Sequence, residues 1–133
     1  MKYLLDTNIC IYIIQNRPLS VKEKFITIGT DQLHVSSITV AELDYGVAKS
    51  EQIEKNSKVL KEFLQRLTIA DFDLKAANEY GSIRRKLEKK GKPVGAHDML
   101  IACIAKSLNF TLVTNNEKEF TRIDDLQIEN WVR

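Results

Sequence analysis

Three acids stand where a carboxylate is either useful or costly. Asp6 directly follows the apolar run Lys2-Tyr3-Leu4-Leu5, so it either projects from the end of a strand or caps the helix that comes next. Glu42 shares a helical face with Ile38, Tyr45 and Gly46 at i−4, i+3 and i+4. That face is partly apolar, and the alternative is an ordinary solvated position beside Asp44. Asp98 precedes Ile101, Ala102 and Ala105 at i+3, i+4 and i+7, which puts it on the stripe that must pack inward. A carboxylate left there without a partner is expensive, so it either caps its helix or meets a cation. Asn115 and Asn116 follow Thr114 at the exit of another apolar run, where a plain turn is the other reading.

Gathered in one place, these groups would form an oxygen-only ligand set. Several carboxylates cannot share a small dry pocket without a counter-charge, and a hard divalent cation, Mg²⁺ or Mn²⁺, supplies it. Zinc is disfavoured because there is no Cys/His ligand set. No Ser-His-Asp or Cys-His arrangement supports a covalent route. Cys10 and Cys103 each lie inside an apolar helical pattern and read as core thiols.

The elements that must bring the acids together can be read from periodicity and breakers. Strands are expected at Lys2–Leu5, Leu33–Val35, Thr68–Ala70 and Phe110–Val113, with an edge strand within Leu126–Trp131. Helices are expected over Ile9–Gln15, Leu19–Ile28, Ile38–Lys49, Glu51–Leu67, from Asp73 to Lys90, and over His97–Leu108, with a helical turn at Glu117–Phe120. Ser36 or Ser37 can cap the third helix, Asp73 caps the fifth, and Gly91 ends it. Gly91-Lys92-Pro93-Val94-Gly95 is the clear loop. Strands alternating with helices predict an α/β fold, a parallel sheet covered on both faces, with ligands beyond the carboxyl ends of its strands. The 133 residues fit a single domain, 1–133. No apolar run is long enough to cross a bilayer and the N-terminus does not read as a signal peptide, so a cytoplasmic protein is expected.

The net charge of +2 is too small to identify a nucleic-acid binder, so distribution matters more. The densest basic run is Arg84-Arg85-Lys86-Leu87-Glu88-Lys89-Lys90-Gly91-Lys92. Arg84, Arg85, Lys89, Lys90 and Lys92 either track a phosphate backbone or form a solvated helix face. Aromatics are sparse nearby, so base stacking by this run is not expected. Apolar residues of Ile9–Ile14 and Phe63–Leu67 serve either a partner or the core.

Four segments carry a resemblance: Leu5-Asp6-Thr7-Asn8, Ala41-Glu42-Leu43-Asp44-Tyr45-Gly46, Pro93-Val94-Gly95-Ala96-His97-Asp98 with Ile101-Ala102, and Val113-Thr114-Asn115-Asn116 with Glu119-Phe120. In order and spacing they resemble the motifs of PIN-domain nucleases over essentially the whole chain. The chain is most similar to the VapC toxins of bacterial toxin–antitoxin pairs, and among them to the group that cuts initiator tRNA in the anticodon stem-loop. The resemblance implies a three-layer α/β/α fold, a homodimer, a VapB-type antitoxin and an RNA substrate. It implies Asp6, Glu42 and Asp98 as Mg²⁺ ligands in a hydrolysis leaving 5′-phosphate and 3′-hydroxyl ends. Where the family often carries a fourth acid, this chain has Asn116, with Glu119 one helical turn on as the substitute. Thr7, Asn8, Thr114 and Glu119 are then the groups that orient ligands or a water. His97, one residue along its helix from Asp98, is expected to point elsewhere. The antitoxin's tail would lie across a groove and place an Arg against the acids.

Other readings remain at this point. A catalytically inactive PIN-like module that binds RNA or protein rests on the amide at position 116. A phosphoacceptor receiver domain would need a second acid after Asp6 and a Lys ending the fourth strand, and this sequence has neither. A DNA-directed nuclease of related fold would be expected to carry a DNA-binding extension.

Overall fold

A computed structural model describes residues 1–132. The chain order is β1 (Tyr3–Leu5), α1 (Thr7–Gln15), α2 (Leu19–Ile28), a 3-10 turn (Thr30–Gln32), β2 (Leu33–Ser36), α3 (Ser37–Ala48), α4 (Ile53–Leu64), β3 (Thr68–Ala70), α5 (Leu74–Lys90), α6 (Ala96–Leu108), β4 (Thr111–Val113), α7 (Glu117–Phe120) and β5 (Ile128–Glu129). The strands form one sheet in the order β3-β2-β1-β4-β5, and every pairing is parallel. The tail does add an edge strand, shorter than expected, beside β4.

Alternation along the central strands divides the core into two layers. Leu4 and Leu112 face the side packed by Ile83 and Leu87 of α5 and by Ile101, Ala102 and Ile104 of α6. Leu5, Val35 and Val113 face the other side, with Ile9 and Ile13 of α1, Phe25 of α2, Leu43 of α3, and Leu60 and Phe63 of α4. The result is the expected α/β/α sandwich. Cys10 and Cys103 are both buried free thiols within it. Among the described residues, no helix is long and apolar enough to cross a membrane.

Helix ends account for most of the boundary differences. α1 begins two residues earlier than expected, because Asp6 caps it by accepting from the Ile9 amide at 2.9 Å. α4 is shorter than the expected Glu51–Leu67: the chain leaves the helix at Gln65 to reach β3. Ser36 is the cap of α3, accepting from Thr39 N at 2.9 Å, and Asp73 caps α5 at 3.1 Å. Gly91 closes α5 at φ 65°, a left-handed conformation that glycine takes without a Cβ clash.

The strand order has a consequence for function. The chain runs outward from β1 through β2 and β3 on one side, while β4 and β5 lie on the other side of β1. The connections therefore diverge between β1 and β4. At such a switch point a crevice opens beyond the carboxyl ends of the strands. Asp6 and Thr114 are the residues that directly follow β1 and β4.

Candidate functional site

Asp6 is only 5% exposed, so its carboxylate is placed by the fold rather than by solvent. Its backbone N–H donates to Val113 O at 3.0 Å, which continues the β1–β4 ladder by one residue. One carboxylate oxygen caps α1. The Thr114 hydroxyl also donates to Asp6. That proton is aimed because the Thr114 oxygen already accepts the Asn116 amide at 2.9 Å. Both readings of Asp6 thus hold at once: it caps a helix and stands in the crevice. Burial raises its pKa, the bonds from Thr114 and Ile9 partly offset this, and Glu42 adds to the rise. Asn8 is exposed and reaches Asp6 through its backbone N–H.

Glu42 is held from both sides. Thr7 Oγ1 donates to Glu42 Oε1 at 2.6 Å and lies 3.0 Å from Thr39 Oγ1. The Thr7 proton is committed to a carboxylate, so Thr39 must be the donor in the second bond. Thr39 is fully buried, one turn before Glu42 on α3, and its part in this chain of hydroxyls was missed from sequence. The i−3 spacing to Glu42 was the available signal. His97 Nδ1 stands 3.1 Å from Glu42 Oε2, so the expectation that His97 points elsewhere is corrected. The imidazole at the exposed start of α6 folds back toward α3 and meets the other carboxylate oxygen.

Asp98 lies in the first turn of α6, and the cap of that helix is Gly95, so the capping alternative for Asp98 falls away. A helix N-terminus favours a carboxylate by about 0.3–1 kcal/mol. Its pKa is nevertheless pushed up, from 3.8 to about 6, by burial first and then by Glu119, Asp6 and Glu42, with His97 acting in the opposite sense. Like charges and lost hydration outweigh the helix dipole. Four carboxylates, from the exit of β1 and from α3, α6 and α7, remote in the chain, therefore share one electrostatic site.

Asn116 and Glu119 divide the work of the last motif. The Asn116 side-chain amide donates to Glu119 Oε2 at 2.8 Å, and the other oxygen, Oε1, accepts from the Gly95 backbone N–H. Asn116 thus stands behind Glu119, whose charge is the largest acid influence on Asp98. Arg122, three residues on, donates to Pro93 O at 2.6 Å. Glu119 and Arg122 together tie the loop before α6 to α7, which fixes where Asp98 emerges.

Glu42, Gly95, Ala96, His97 and Asp98 line an open hollow of about 310 Å³. The donors are carboxylate oxygens, which suits a hard cation. Among the described residues, no three such groups are already drawn onto one ligand position, so a bound ion would require side-chain closure.

The basic run does not form one track. Lys90 turns to the segment after α7, 2.8 Å from Asp124 Oδ1, and Arg85 leans on Glu88 at 3.8 Å. Arg84 and Lys92 instead line a cavity of about 410 Å³ whose wall includes Ala96. Lys89 is exposed near the end of α5. On the opposite helical layer, Ile11, Ile14, Val47 and Val59 line a groove of about 310 Å³ that reaches Glu42. Phe63 belongs to the core, not to that surface.

Comparison with known proteins adds an independent line. The PIN domain family model matches residues 3–126. Ribonuclease VapC2 of Haemophilus influenzae is 48% identical over 132 residues, covering 99% of each chain. The tRNA(fMet)-specific endonuclease VapC of Shigella flexneri is 43% identical over 131 residues, covering 98% of each. Among solved structures, VapBC2 from Rickettsia felis, bound to a DNA fragment from its promoter, superposes with a TM-score of 0.90 at 47% identity, over 98% of this chain and 99% of that one.

Proposed function

Because the chain belongs to the PIN-domain family and stands among its VapC ribonucleases, we propose that it is the toxin of a VapB–VapC pair, an Mg²⁺-dependent endoribonuclease that cuts initiator tRNA in the anticodon stem-loop. The observation that carries the catalytic part is that acids remote in the chain are gathered into one site, with Glu42 and Asp98 on one hollow and with burial, Glu119, Asp6 and Glu42 pushing the Asp98 pKa up to about 6. Such a concentration of partly buried negative charge is costly in a free protein and becomes favourable when a divalent cation enters.

In this reading Asp6, Glu42 and Asp98 hold the ion, Mn²⁺ being able to replace Mg²⁺. Glu119 supplies the fourth acid that Asn116 cannot. Bound there, the ion supplies Lewis-acid polarisation of a phosphate oxygen and a water made acidic enough to act as nucleophile. Thr7 fixes one Glu42 oxygen, Thr39 aims the Thr7 proton, and Thr114 bonds Asp6, so these contacts hold the ligands beside the site while their side chains close on the ion. His97 holds the outer Glu42 oxygen on the solvent side. The in-line attack leaves 5′-phosphate and 3′-hydroxyl ends.

The groove formed by Ile11, Ile14, Val47 and Val59 fits the antitoxin's apolar tail, and its opening at Glu42 lets a basic residue of the tail reach the acids. The catalytically inactive alternative rests on Asn116, and the charge of Glu119 acting on Asp98 supports the active reading instead.

The test is cleavage of purified initiator tRNA, with the new RNA ends sequenced. The wild type cuts in Mg²⁺ within the anticodon stem-loop, while Asp6→Asn and Asp98→Asn are inactive with their fold intact. Full activity in EDTA would overturn the metal mechanism, and cleavage confined to other RNAs would overturn the substrate.

A further inference from the structure

The cavity beside the acids combines features that the ribonuclease reading does not yet use. It measures about 410 Å³, within the range of small-ligand pockets. Leu87, Val94 and Met99 contribute apolar surface, and Tyr80 and Arg84 of α5 contribute an aromatic ring and a guanidinium. Arg84 is set in place: Nη1 donates to the Tyr80 hydroxyl at 2.9 Å, Nε lies 3.4 Å from Glu88 Oε2, and the guanidinium carbon sits 5.9 Å from the Tyr80 ring centroid. A guanidinium has more N–H donors than these two contacts use. Lys92 adds a second positive charge on the rim.

Position decides what such a pocket would hold. Ala96 lines both this cavity and the hollow over Glu42 and Asp98. The same loop, Pro93–Ala96, therefore separates the two spaces. A chain whose phosphate reaches the carboxylates has its neighbouring nucleotide at the mouth of the cavity. An apolar floor, one aromatic face and oriented cationic donors are what a nucleobase and its phosphate require. The basic run itself offers no stacking surface, and the aromatic ring comes from beside it. Tyr80 lies one helical turn before Arg84, outside the basic run itself, which is why that run looked poor in aromatics.

Resting on the ribonuclease reading, we propose that the Tyr80–Arg84 cavity is a nucleotide subsite, taking the unstacked base next to the scissile phosphate and contributing to the choice of cut site. Arg84 holds that nucleotide's phosphate or base edge, and Tyr80 supplies the stacking surface and orients Arg84.

The experiment uses the full chain and a synthetic RNA hairpin carrying the initiator-tRNA anticodon loop, together with versions in which single loop bases are removed. Wild type, Tyr80→Ala, Tyr80→Phe and Arg84→Gln are assayed for KM and kcat, with thermal melts and native mass as checks. Removing one particular base raises the wild-type KM roughly tenfold, the scale of a lost stacking contact. Tyr80→Ala raises KM by a similar factor and is then insensitive to loss of that base, whereas Tyr80→Phe keeps the sensitivity. Arg84→Gln raises KM and flattens its salt dependence. Independent, additive effects of Tyr80→Ala and base removal at every position would overturn the subsite. So would a loss of dimer mass or of antitoxin binding with RNA kinetics unchanged. A wild type that cuts while all three variants match it refutes the subsite alone, whereas a wild type that cuts no RNA refutes the ribonuclease reading and the subsite with it.

Discussion

Removing the charge of Asp98 should make the metal-free protein more stable while destroying its activity. The pKa of this carboxyl rises from 3.8 to about 6 on folding. The folded state thus binds its proton more tightly than the unfolded chain does. The cost of keeping Asp98 ionised is absent at pH below about 4, grows as pH rises to about 6, and is complete above that. Taken at face value, that shift costs about 3 kcal/mol at pH 7.5, at about 1.4 kcal/mol per tenfold. Asp98 is only partly buried, so solvent screening reduces this to about 1–2 kcal/mol. Asp98→Asn also gives up a favourable interaction with the start of α6, about 0.5 kcal/mol. The net gain is about 1 kcal/mol, or a melting temperature higher by about 3–5 °C for a chain of this size. The assay is a thermal melt of metal-stripped protein at pH 7.5 and again at pH 4, each in EDTA and, separately, in EDTA-free buffer with added Mn²⁺. Asp98→Asn should melt higher than wild type only at the higher pH and should lose most of the wild-type rise on adding Mn²⁺. An Asp98→Asn variant less stable than wild type in EDTA at pH 7.5 would refute the claim that the acids are held together against repulsion.

Five further outcomes follow, four of them from particular side chains. Thr7→Val removes the donor to Glu42 and should weaken Mn²⁺ binding, read by calorimetry, by about 10–100-fold. Glu119→Gln keeps an acceptor for the Gly95 amide but removes the acid with the largest effect on Asp98, so cleavage should need more Mg²⁺ and its lower pH limit should move to lower pH. Lys92→Ala should lower the slope of log RNA affinity against log salt by about 0.7–0.9, the effect of one phosphate contact. Lys90→Ala should leave that slope as it is, because Lys90 is held by Asp124. The homodimer implied by the family resemblance should sediment at about twice the 15.3 kDa of one chain.

Much of the scaffold was legible because local signals agreed with one another. The helix from Asp73 to Gly91 has a side-chain cap at one end and a left-handed glycine at the other, and it appears as expected. The apolar strands pair in a parallel sheet, as alternation with helices required. The acids were legible as strand exits and as misplaced charges on packing faces. What escaped depends on contacts between remote segments. His97 and Glu42 are 55 residues apart, and no period along α6 reveals that the imidazole folds back to α3. Thr39 looked like an ordinary helix residue until Thr7, 32 positions away, gave its hydroxyl a partner. The basic run looked continuous in sequence, yet the turn of α5 sends Arg84 to a cavity and Lys90 to Asp124. Glu119 was already the substitute acid in sequence, and what the fold adds is the bond by which the Asn116 amide holds it.

A crystal of the wild-type chain soaked in Mn²⁺ and measured for anomalous scattering addresses the account most directly. The strongest peak should stand within ligand distance, about 2.0–2.6 Å, of carboxylate oxygens from Asp6 and Asp98, with Glu42 turned toward it. A map with no peak among these carboxylates, at Mn²⁺ concentrations that support RNA cleavage in solution, would contradict the assignment of the crevice between β1 and β4 as the cation site.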